Sequence, residues 1–181
     1  MFPAPLPPNE NERIAALKAL NILDTPPEER FDRITRVTKR IFGVPIALVT
    51  LVDVNRLWFK SCIGLDGHEV PRGISFCAHA ILREEAFVVP DALKDPRFAD
   101  NPLVTSEPHI RFYAGYPTHN LDGNKLGTLC ILDRNPREIT AEDVKTLRDL
   151  AAWAELEINA PDMRQALNDA KESKKGNQNA V

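Results

Sequence analysis

Hydrophobic residues in this chain fall into short periodic blocks separated by polar and proline-rich stretches. Spacings of three and four residues predict helices in "ENERIAALKALNIL", over about residues 26–42 and over about residues 141–158. A T-x-x-E capping box from Thr25 to Glu28, with Pro26 in the first turn, is expected to begin the second helix. Gly43 is placed to end that helix in a left-handed turn.

Strands are predicted between these helices. "VPIALVTLVD" is an almost unbroken apolar run, typical of a central buried strand, and "LWFKSCI", "AFVVPD", "IRFYAGYPTHN" and "LGTLCILDR" follow it. Because two pairs of strands are joined by short turns, we expect an α+β fold: one antiparallel sheet with helices on its faces. The predicted core includes Phe31, Ile34, Leu48, Leu51 and Ile131.

The two ends of the chain differ from the middle in composition. Residues 1–9 are proline-rich and are expected to be flexible, and residues 10–160 are expected to form one domain. Pro161 is expected to break or kink the last helix. Residues 161–181 are polar and are predicted to be a partly disordered extension.

Composition and charge exclude several classes of protein. The net charge is −3 with no basic stripe, which argues against nucleic-acid binding. No segment reaches the roughly 20 apolar residues of a membrane helix, and "MFPAPLPP" does not fit a signal peptide. Three widely spaced cysteines without a CxxC motif argue against a disulfide framework and indicate a cytoplasmic protein.

Several blocks together resemble a bacterial GAF domain, a module found in sensory and signalling proteins. They are "ERIAALKALNILDTPPEERFDRITRVTKRIFGVPIALVTLVD", "WFKSCIGL", "ISFCAHAIL", "VVPDALKDPRFADNPLV", "IRFYAGYP" and "LGTLCILDRNPRE". The resemblance covers about residues 10–158. It implies a GAF/PAS-like antiparallel sheet with a ligand pocket on one face and terminal helices, often paired in a homodimer, on the other. It also implies histidine kinases or cyclic-dinucleotide enzymes as partners.

Two alternatives within this resemblance stay open. A bilin-binding photosensor of this family attaches its pigment through a cysteine directly followed by histidine, whereas Ala78 separates Cys77 from His79 here. The free methionine sulfoxide reductase branch uses three cysteines around one pocket loop. Here Cys62, Cys77 and Cys130 are predicted on a strand, a helix and another strand.

The stretch "GISFCAHAI" contains the strongest candidate site. Ser75 is expected to cap a short helix, and Cys77 near its start could have a lowered pKa. Cys77 and His79 would point about 200° apart on that helix, so they are not expected to bind one metal ion together. We expect Cys77 to be a packed, unmodified thiol and His79 to face the pocket.

Other candidates come from strand alternation and from the long loop "DPRFADNPLV". Arg97 could bind an anion, or it could pair with Asp91 or Asp95 and fix the loop over the core with Phe98. Arg111 and Tyr113 share one face of their strand. The predicted ligand-binding residues are Trp58, Phe76, Cys77, His79, Asp91, Arg97, Arg111 and Tyr113.

No catalytic motif is recognisable: there is no phosphate-binding loop, no HExxH and no spaced pair of carboxylates. The sequence therefore predicts a non-enzymatic sensory domain that binds a small molecule or a partner protein in signal transduction. It identifies neither the ligand nor a cofactor, and it predicts no metal site. The breadth of apolar positions on the last helix, with Trp153 and Leu156, predicts a homodimer.

Overall fold

A computed structural model describes residues 1–178 of the chain. The helices are α1 (Glu10–Ala19), α2 (Glu29–Phe42), α3 (Phe76–Ala80), α4 (Pro102–Thr105) and α5 (Ala141–Gln178). The strands are β1 (Ile46–Val52), β2 (Arg56–Ile63), β3 (Glu69–Pro71), β4 (Phe87–Val89), β5 (Phe112–His119) and β6 (Lys125–Asp133). A short 3-10 turn, Arg72–Ile74, joins β3 to α3.

The six strands form one antiparallel sheet in the order β3-β2-β1-β6-β5-β4. All seven residues of β1 are buried, because β2 and β6 flank the strand and both of its faces are covered. The α+β prediction with helices on both faces of the sheet is confirmed.

Side chains alternate between the two faces and build two separate cores. Helices α1, α2 and α5 cover one face, called here the helix face, where Phe31, Ile34, Leu51 and Ile131 are buried. Leu48 is buried on the other face, called the pocket face, beneath α3, α4 and the intervening loops. All five predicted core residues are therefore buried, and Leu51 is 0% exposed.

Helix α2 begins later than the sequence predicts. Its N-cap is Glu28, which makes no side-chain capping bond, so the predicted box from Thr25 is wrong. Pro26 precedes a second proline, and a residue before proline is driven away from helical geometry. The Thr25 hydroxyl instead donates to the carbonyl of Ile22. The other end is as predicted, with Gly43 left-handed at φ 57°.

Helix α5 continues through Pro161 to Gln178, although a break or kink was expected there. Proline lacks the N–H that would bond to the carbonyl four residues earlier, which belongs to Glu157. Arg30 of α2 donates from Nη1 to that carbonyl oxygen over 2.5 Å. This side-chain donor replaces the missing backbone bond. Residues 179–181, at the end of the predicted extension, lie outside the described residues.

Within the part of the chain that the structure describes, no helix is long and apolar enough to cross a membrane.

Candidate functional site

A small, partly open cavity lies on the pocket face, between the central strands and α3. Its volume is about 40 Å³, enough for one or two water-sized molecules. A pocket for a drug-sized ligand holds roughly 300–1,000 Å³. No charged side chain lines the cavity; its walls are Leu48, Thr50, Leu57, Phe59, Leu65, Val70, Ser75, Phe76, Cys77, Leu103, Pro108, Ile110, Tyr113, Cys130 and Leu132.

Helix α3 places the cysteine of "SFCAH" in this cavity. Ser75 is the N-cap, and its hydroxyl accepts a hydrogen bond from the Ala78 N–H over 3.1 Å, as the sequence predicts. The cap fixes the direction of a helix only five residues long. Phe76 and Cys77 in its first turn are consequently buried against the sheet, at 2% and 3% exposure.

Polar atoms from three elements meet around the Cys77 sulfur. The Tyr113 hydroxyl donates to Cys77 Sγ over 3.4 Å, and Cys130 Sγ lies 3.8 Å from the same sulfur. Beside them, the hydroxyls of Thr50 and Thr128 are 3.0 Å apart. All five side chains are buried, and we call this group the sulfur cluster.

The two thiols of the sulfur cluster differ in acidity. Burial raises the pKa of Cys77, but hydrogen bonds led by that from Cys130 outweigh burial and hold its pKa below the ordinary thiol value. Burial beside Cys77 raises the pKa of Cys130 well above the ordinary value. Burial likewise raises the pKa of Tyr113, so its hydroxyl keeps the proton that it donates.

Gly115 makes room for the tyrosine in this arrangement. A Cβ atom at Gly115 would lie 2.1 Å from the Tyr113 hydroxyl oxygen, so that any larger residue would displace the ring. Glycine within a strand often marks such a close approach. A glycine two residues after Tyr113, on the same face of β5, is therefore a sequence signal that the tyrosine ring packs along the strand.

Aromatic rings from the loop 90–111 and from α3 pack behind Phe76, which lines the cavity. Phe76 stacks on Phe98 with 4.2 Å between ring centroids and on Tyr113 with 5.1 Å. His79 meets the Phe98 ring edge-on at 5.0 Å. Burial, followed by the nearby Arg97, lowers the pKa of His79, which favours its neutral form at neutral pH.

Charged candidates at the outer rim are already paired. Arg97 donates through Nε and Nη2 to Asp95, as the sequence interpretation preferred, and its guanidinium lies 4.8 Å from the Phe87 ring centroid. Arg111 donates through Nε and Nη2 to Asp91 over 2.9 and 3.0 Å. Neither arginine is therefore free to bind an anion without breaking a bidentate pair.

The first residues of the chain run across this rim. The Phe2 N–H donates to the Arg97 carbonyl over 3.2 Å, and the Phe2 carbonyl lies 3.1 Å from Nε2 of His79. The terminal amine of Met1 pairs with Asp100. This segment therefore packs against the residues that surround Phe98, outside the cavity wall.

The structure brings most of the predicted site residues together but not all of them. Phe76, Cys77 and Tyr113 line the cavity. His79 does not line it, contrary to the expectation that it faces the pocket; His79 and Arg97 instead pack on the Phe98 ring, outside the cavity wall. The Asp91–Arg111 pair lies beside β4, at the edge of the sheet. Trp58 is misplaced in the prediction, because it is buried in the core of the helix face. Alternation separated Trp58 from Phe59 correctly, but only the register with β1 decides which of them faces the cavity.

Three polar members of the sulfur cluster were missed: Thr50, Thr128 and Cys130. Their even numbering along β1 and β6 places all three on the pocket face, where Leu48 also lies. Among the described residues, no group of three histidine, cysteine or acidic side chains is placed to hold a metal ion.

Comparison with known proteins agrees with this architecture. The sequence profile of the GAF domain matches residues 26–158. The chain belongs to the GAF domain family. Over 152 residues it is 45% identical to "Cyclic di-GMP phosphodiesterase PA2567" of Pseudomonas aeruginosa, a match that covers 83% of this chain and 26% of that protein. This GAF domain thus spans about a quarter of the length of the curated relative.

Two solved structures show the same fold at low sequence identity. The GAF domain from the Acinetobacter phosphoenolpyruvate-protein phosphotransferase is 20% identical, with a TM-score of 0.61, over 82% of this chain and 93% of that one. Free methionine-R-sulfoxide reductase from Neisseria meningitidis is also 20% identical, with a TM-score of 0.59, and the match covers 92% of this chain and 99% of that one.

The prediction of a non-enzymatic protein is wrong. The 45% identical relative carries the name of an enzyme, although the match covers only part of it. The prediction rested on the absence of a catalytic motif within this chain, and that absence does not address a polypeptide in which a GAF domain and a catalytic unit occur together. The signalling assignment is supported by the same relative.

Proposed function

We propose that this GAF domain regulates a cyclic di-GMP phosphodiesterase, through α5, in a cytoplasmic homodimer. The relative that is 45% identical supports the choice of enzyme. The observation that carries the proposal is the surface of α5, which presents apolar side chains on the side that faces away from the sheet.

These side chains follow a regular spacing. Leu156, Met163 and Leu167 are exposed by 60%, 39% and 55%, and the half-buried Trp153 and Ala160 fill the positions between them. Steps of three, four, three and four residues place all five within an arc of about 80° on a helix. We call this set the α5 stripe. The residues of α5 that pack on the sheet lie on the opposite side of the helix: Leu147, Ala151, Ala154 and Ile158.

A second copy of the chain is the occupant that suits the α5 stripe. Alternating steps of three and four residues are the pattern of a two-stranded coiled coil, in which identical helices pack along one seam. Pairing of α5 helices would bring two cavities into one assembly. Each domain would contribute one continuous helix, in which Arg30 donates to the carbonyl left without a partner by Pro161. A conformational change in the domain can reach a catalytic unit along this helix.

Dimerisation is tested with two matched leucine substitutions. Light scattering at micromolar concentration should give twice the 20.3 kDa chain mass for the unaltered protein and a single chain for Leu156→Glu. The control is Leu93→Glu, because Leu93 is a leucine that is 45% exposed in the loop between β4 and α4 and does not belong to the stripe. A monomeric unaltered protein, or a dimer that survives Leu156→Glu, contradicts the role of the stripe.

Regulation is tested by replacing the matching segment of PA2567 with this chain and measuring hydrolysis of cyclic di-GMP. The chimera should hydrolyse the dinucleotide, and Leu156→Glu should lower its rate several-fold, whereas Leu93→Glu should not. If the chimera, its Leu156→Glu variant and PA2567 lacking the segment all hydrolyse at the same rate, the domain does not regulate the enzyme.

The cavity also limits which small molecules this domain can sense. Free methionine sulfoxide carries an ammonium and a carboxylate group, and the cavity wall contains no arginine, lysine, histidine, aspartate or glutamate to pair with them. A bilin is many times larger than the 40 Å³ available. The ligand that suits this cavity is small and uncharged. Titration calorimetry with free methionine sulfoxide checks this: measurable binding would contradict the proposed preference.

A further inference from the structure

Two cysteines that are 53 residues apart in the chain meet inside the cavity. Cys77 Sγ on α3 lies 3.8 Å from Cys130 Sγ on β6, and both are free thiols. A disulfide bond is about 2.05 Å long, so the two sulfurs need to approach by about 1.8 Å to form one. We propose that Cys77 and Cys130 are a redox-active dithiol, reversibly oxidised to a disulfide by a small hydroperoxide.

The cavity selects the oxidant by its size and polarity. It is lined by both cysteines and has a volume of about 40 Å³, in a measure by which one water molecule needs roughly 10–15 Å³. Hydrogen peroxide is uncharged and close to this size, so it fits where a bulky lipid hydroperoxide does not. Thr50, Ser75 and Tyr113 provide hydroxyl groups in the same wall.

Cys77 is the thiol that attacks the peroxide. The Tyr113 hydroxyl donates to its sulfur over 3.4 Å, which stabilises a thiolate there. The pKa of Cys77 is held below the ordinary thiol value and the pKa of Cys130 lies above it. When one of the two thiols loses its proton, the negative charge therefore resides on Cys77. Cys130 keeps its proton and is the resolving thiol.

The chemistry proceeds in two balanced steps. The Cys77 thiolate attacks one peroxide oxygen, the O–O bond breaks, and the departing hydroxide takes a proton to leave as water, which leaves sulfenic acid on Cys77. The Cys130 sulfur then attacks the Cys77 sulfur, and the sulfenic hydroxyl leaves as a second water with the Cys130 proton. Two electrons pass from the two sulfurs to the peroxide. A dithiol reductant reverses the disulfide.

The third cysteine is a built-in control. Leu48 of β1 pairs with Cys62 on one side and with Cys130 on the other, so Cys62 lies two strands from Cys130. Two strand spacings are about 9–10 Å, which exceeds the roughly 7 Å Cα separation that a disulfide tolerates. Cys62 is therefore not expected to form a disulfide with Cys130, and the sulfur that lies next to Cys77 Sγ is that of Cys130.

The test is oxidation of the purified chain with hydrogen peroxide, followed by alkylation in denaturant and mass spectrometry. The unaltered protein should lose two of its three alkylatable thiols, and peptide mapping should show a link between Cys77 and Cys130 that dithiothreitol removes. Cys62→Ala should lose both of its remaining thiols in the same manner. Cys130→Ala should instead accumulate a sulfenic acid on Cys77 that dimedone labels.

Two results would overturn the dithiol proposal. One is a disulfide that includes Cys62, and the other is retention of all three thiols under peroxide that oxidises the denatured chain. Neither result bears on dimerisation or on the PA2567 chimera, so failure here is separable from failure of the proposed regulatory function.

Discussion

Glu10, the first residue of α1, bridges two buried arginines, and its removal should have a large and pH-dependent effect. Arg13 donates to the Glu10 carboxylate from Nε and Nη2, both over 2.8 Å, and Arg72 donates from Nη1 over 2.5 Å. Arg13 and Arg72 have side chains only 1% and 9% exposed. Glu10→Gln removes the shared negative charge and leaves both guanidinium groups without it.

The magnitude follows from two independent lines of argument. Loss of one partner from a buried ion pair costs about 3–5 kcal/mol. Burial raises the pKa of Glu10, but its bonds to Arg13 and Arg72 outweigh burial and lower the pKa from 4.5 to about 2. At 1.36 kcal/mol per unit, that shift would correspond to roughly 3 kcal/mol, and screening by the solvent that still reaches the Glu10 carboxylate reduces this to about 2 kcal/mol of stability at neutral pH. We therefore expect Glu10→Gln to lower the free energy of unfolding by about 3 kcal/mol at pH 7.

The sign of the pH dependence follows from the lowered pKa. The stabilisation by Glu10 is complete well above pH 4.5 and is lost as the pH falls towards 2, because the unfolded chain binds the proton first. The free energies of unfolding of the unaltered protein and of Glu10→Gln should therefore differ by roughly 1 kcal/mol less at pH 4 than at pH 7.

Urea denaturation followed by circular dichroism measures both quantities. Glu12→Gln is the matched control: Glu12 is exposed in the same turn of α1, and its substitution should change stability by less than about 0.5 kcal/mol. A loss below about 1 kcal/mol for Glu10→Gln at pH 7 would refute the magnitude, since it falls short of both estimates. An equal loss at pH 7 and pH 4 would refute the electrostatic cause.

Three further substitutions probe the core, the long helix and the sulfur cluster. Leu51→Ala, at a fully buried position of β1, should cost about 2–5 kcal/mol in urea denaturation. Arg30→Ala should leave the Glu157 carbonyl without its donor and cost about 1–3 kcal/mol, with faster hydrogen exchange in α5 around Pro161. Tyr113→Phe removes a donor to a charged acceptor, so ultraviolet thiolate absorbance should show the pKa of Cys77 raised by about 1–2 units.

Each of these substitutions has a control at a residue of the same type. Leu121→Ala, at an exposed leucine, should be nearly silent, and so should Arg33→Ala, at an exposed arginine of α2. Tyr116→Phe, on the other face of β5, should leave the pKa of Cys77 unchanged. An equal stability cost for Arg30→Ala and Arg33→Ala would show that the Arg30–Glu157 hydrogen bond does not stabilise α5. An unchanged Cys77 pKa in Tyr113→Phe would show that the Tyr113 hydroxyl does not stabilise the thiolate.

Local sequence determined most of the elements of this fold. The unbroken apolar run of β1 predicted a strand buried on both faces. Gly43 and Ser75 correctly predicted the end of α2 and the start of α3. These signals are local, because capping and burial periodicity depend on residues within one turn or one strand. The actual start of α2 at Glu29 also has a local cause, because Pro27 drives Pro26 away from helical geometry. The prediction of an earlier start followed the capping-box pattern at Thr25 instead of this proline pair.

Tertiary structure alone decided the site. Alternation divides the side chains of a strand into two sets, but only the pairing of β2 with β1 assigns Trp58 to the helix face. The meeting of Cys77 with Cys130 requires α3 to dock over β6, and neither residue carries a sequence signal for the other. Likewise, where α5 passes through Pro161, the Glu157 carbonyl accepts a hydrogen bond from Arg30, a donor 127 residues away that no local pattern encodes. Contacts of this kind depend on how whole elements pack, which is why they follow from the fold and not from any one stretch of sequence.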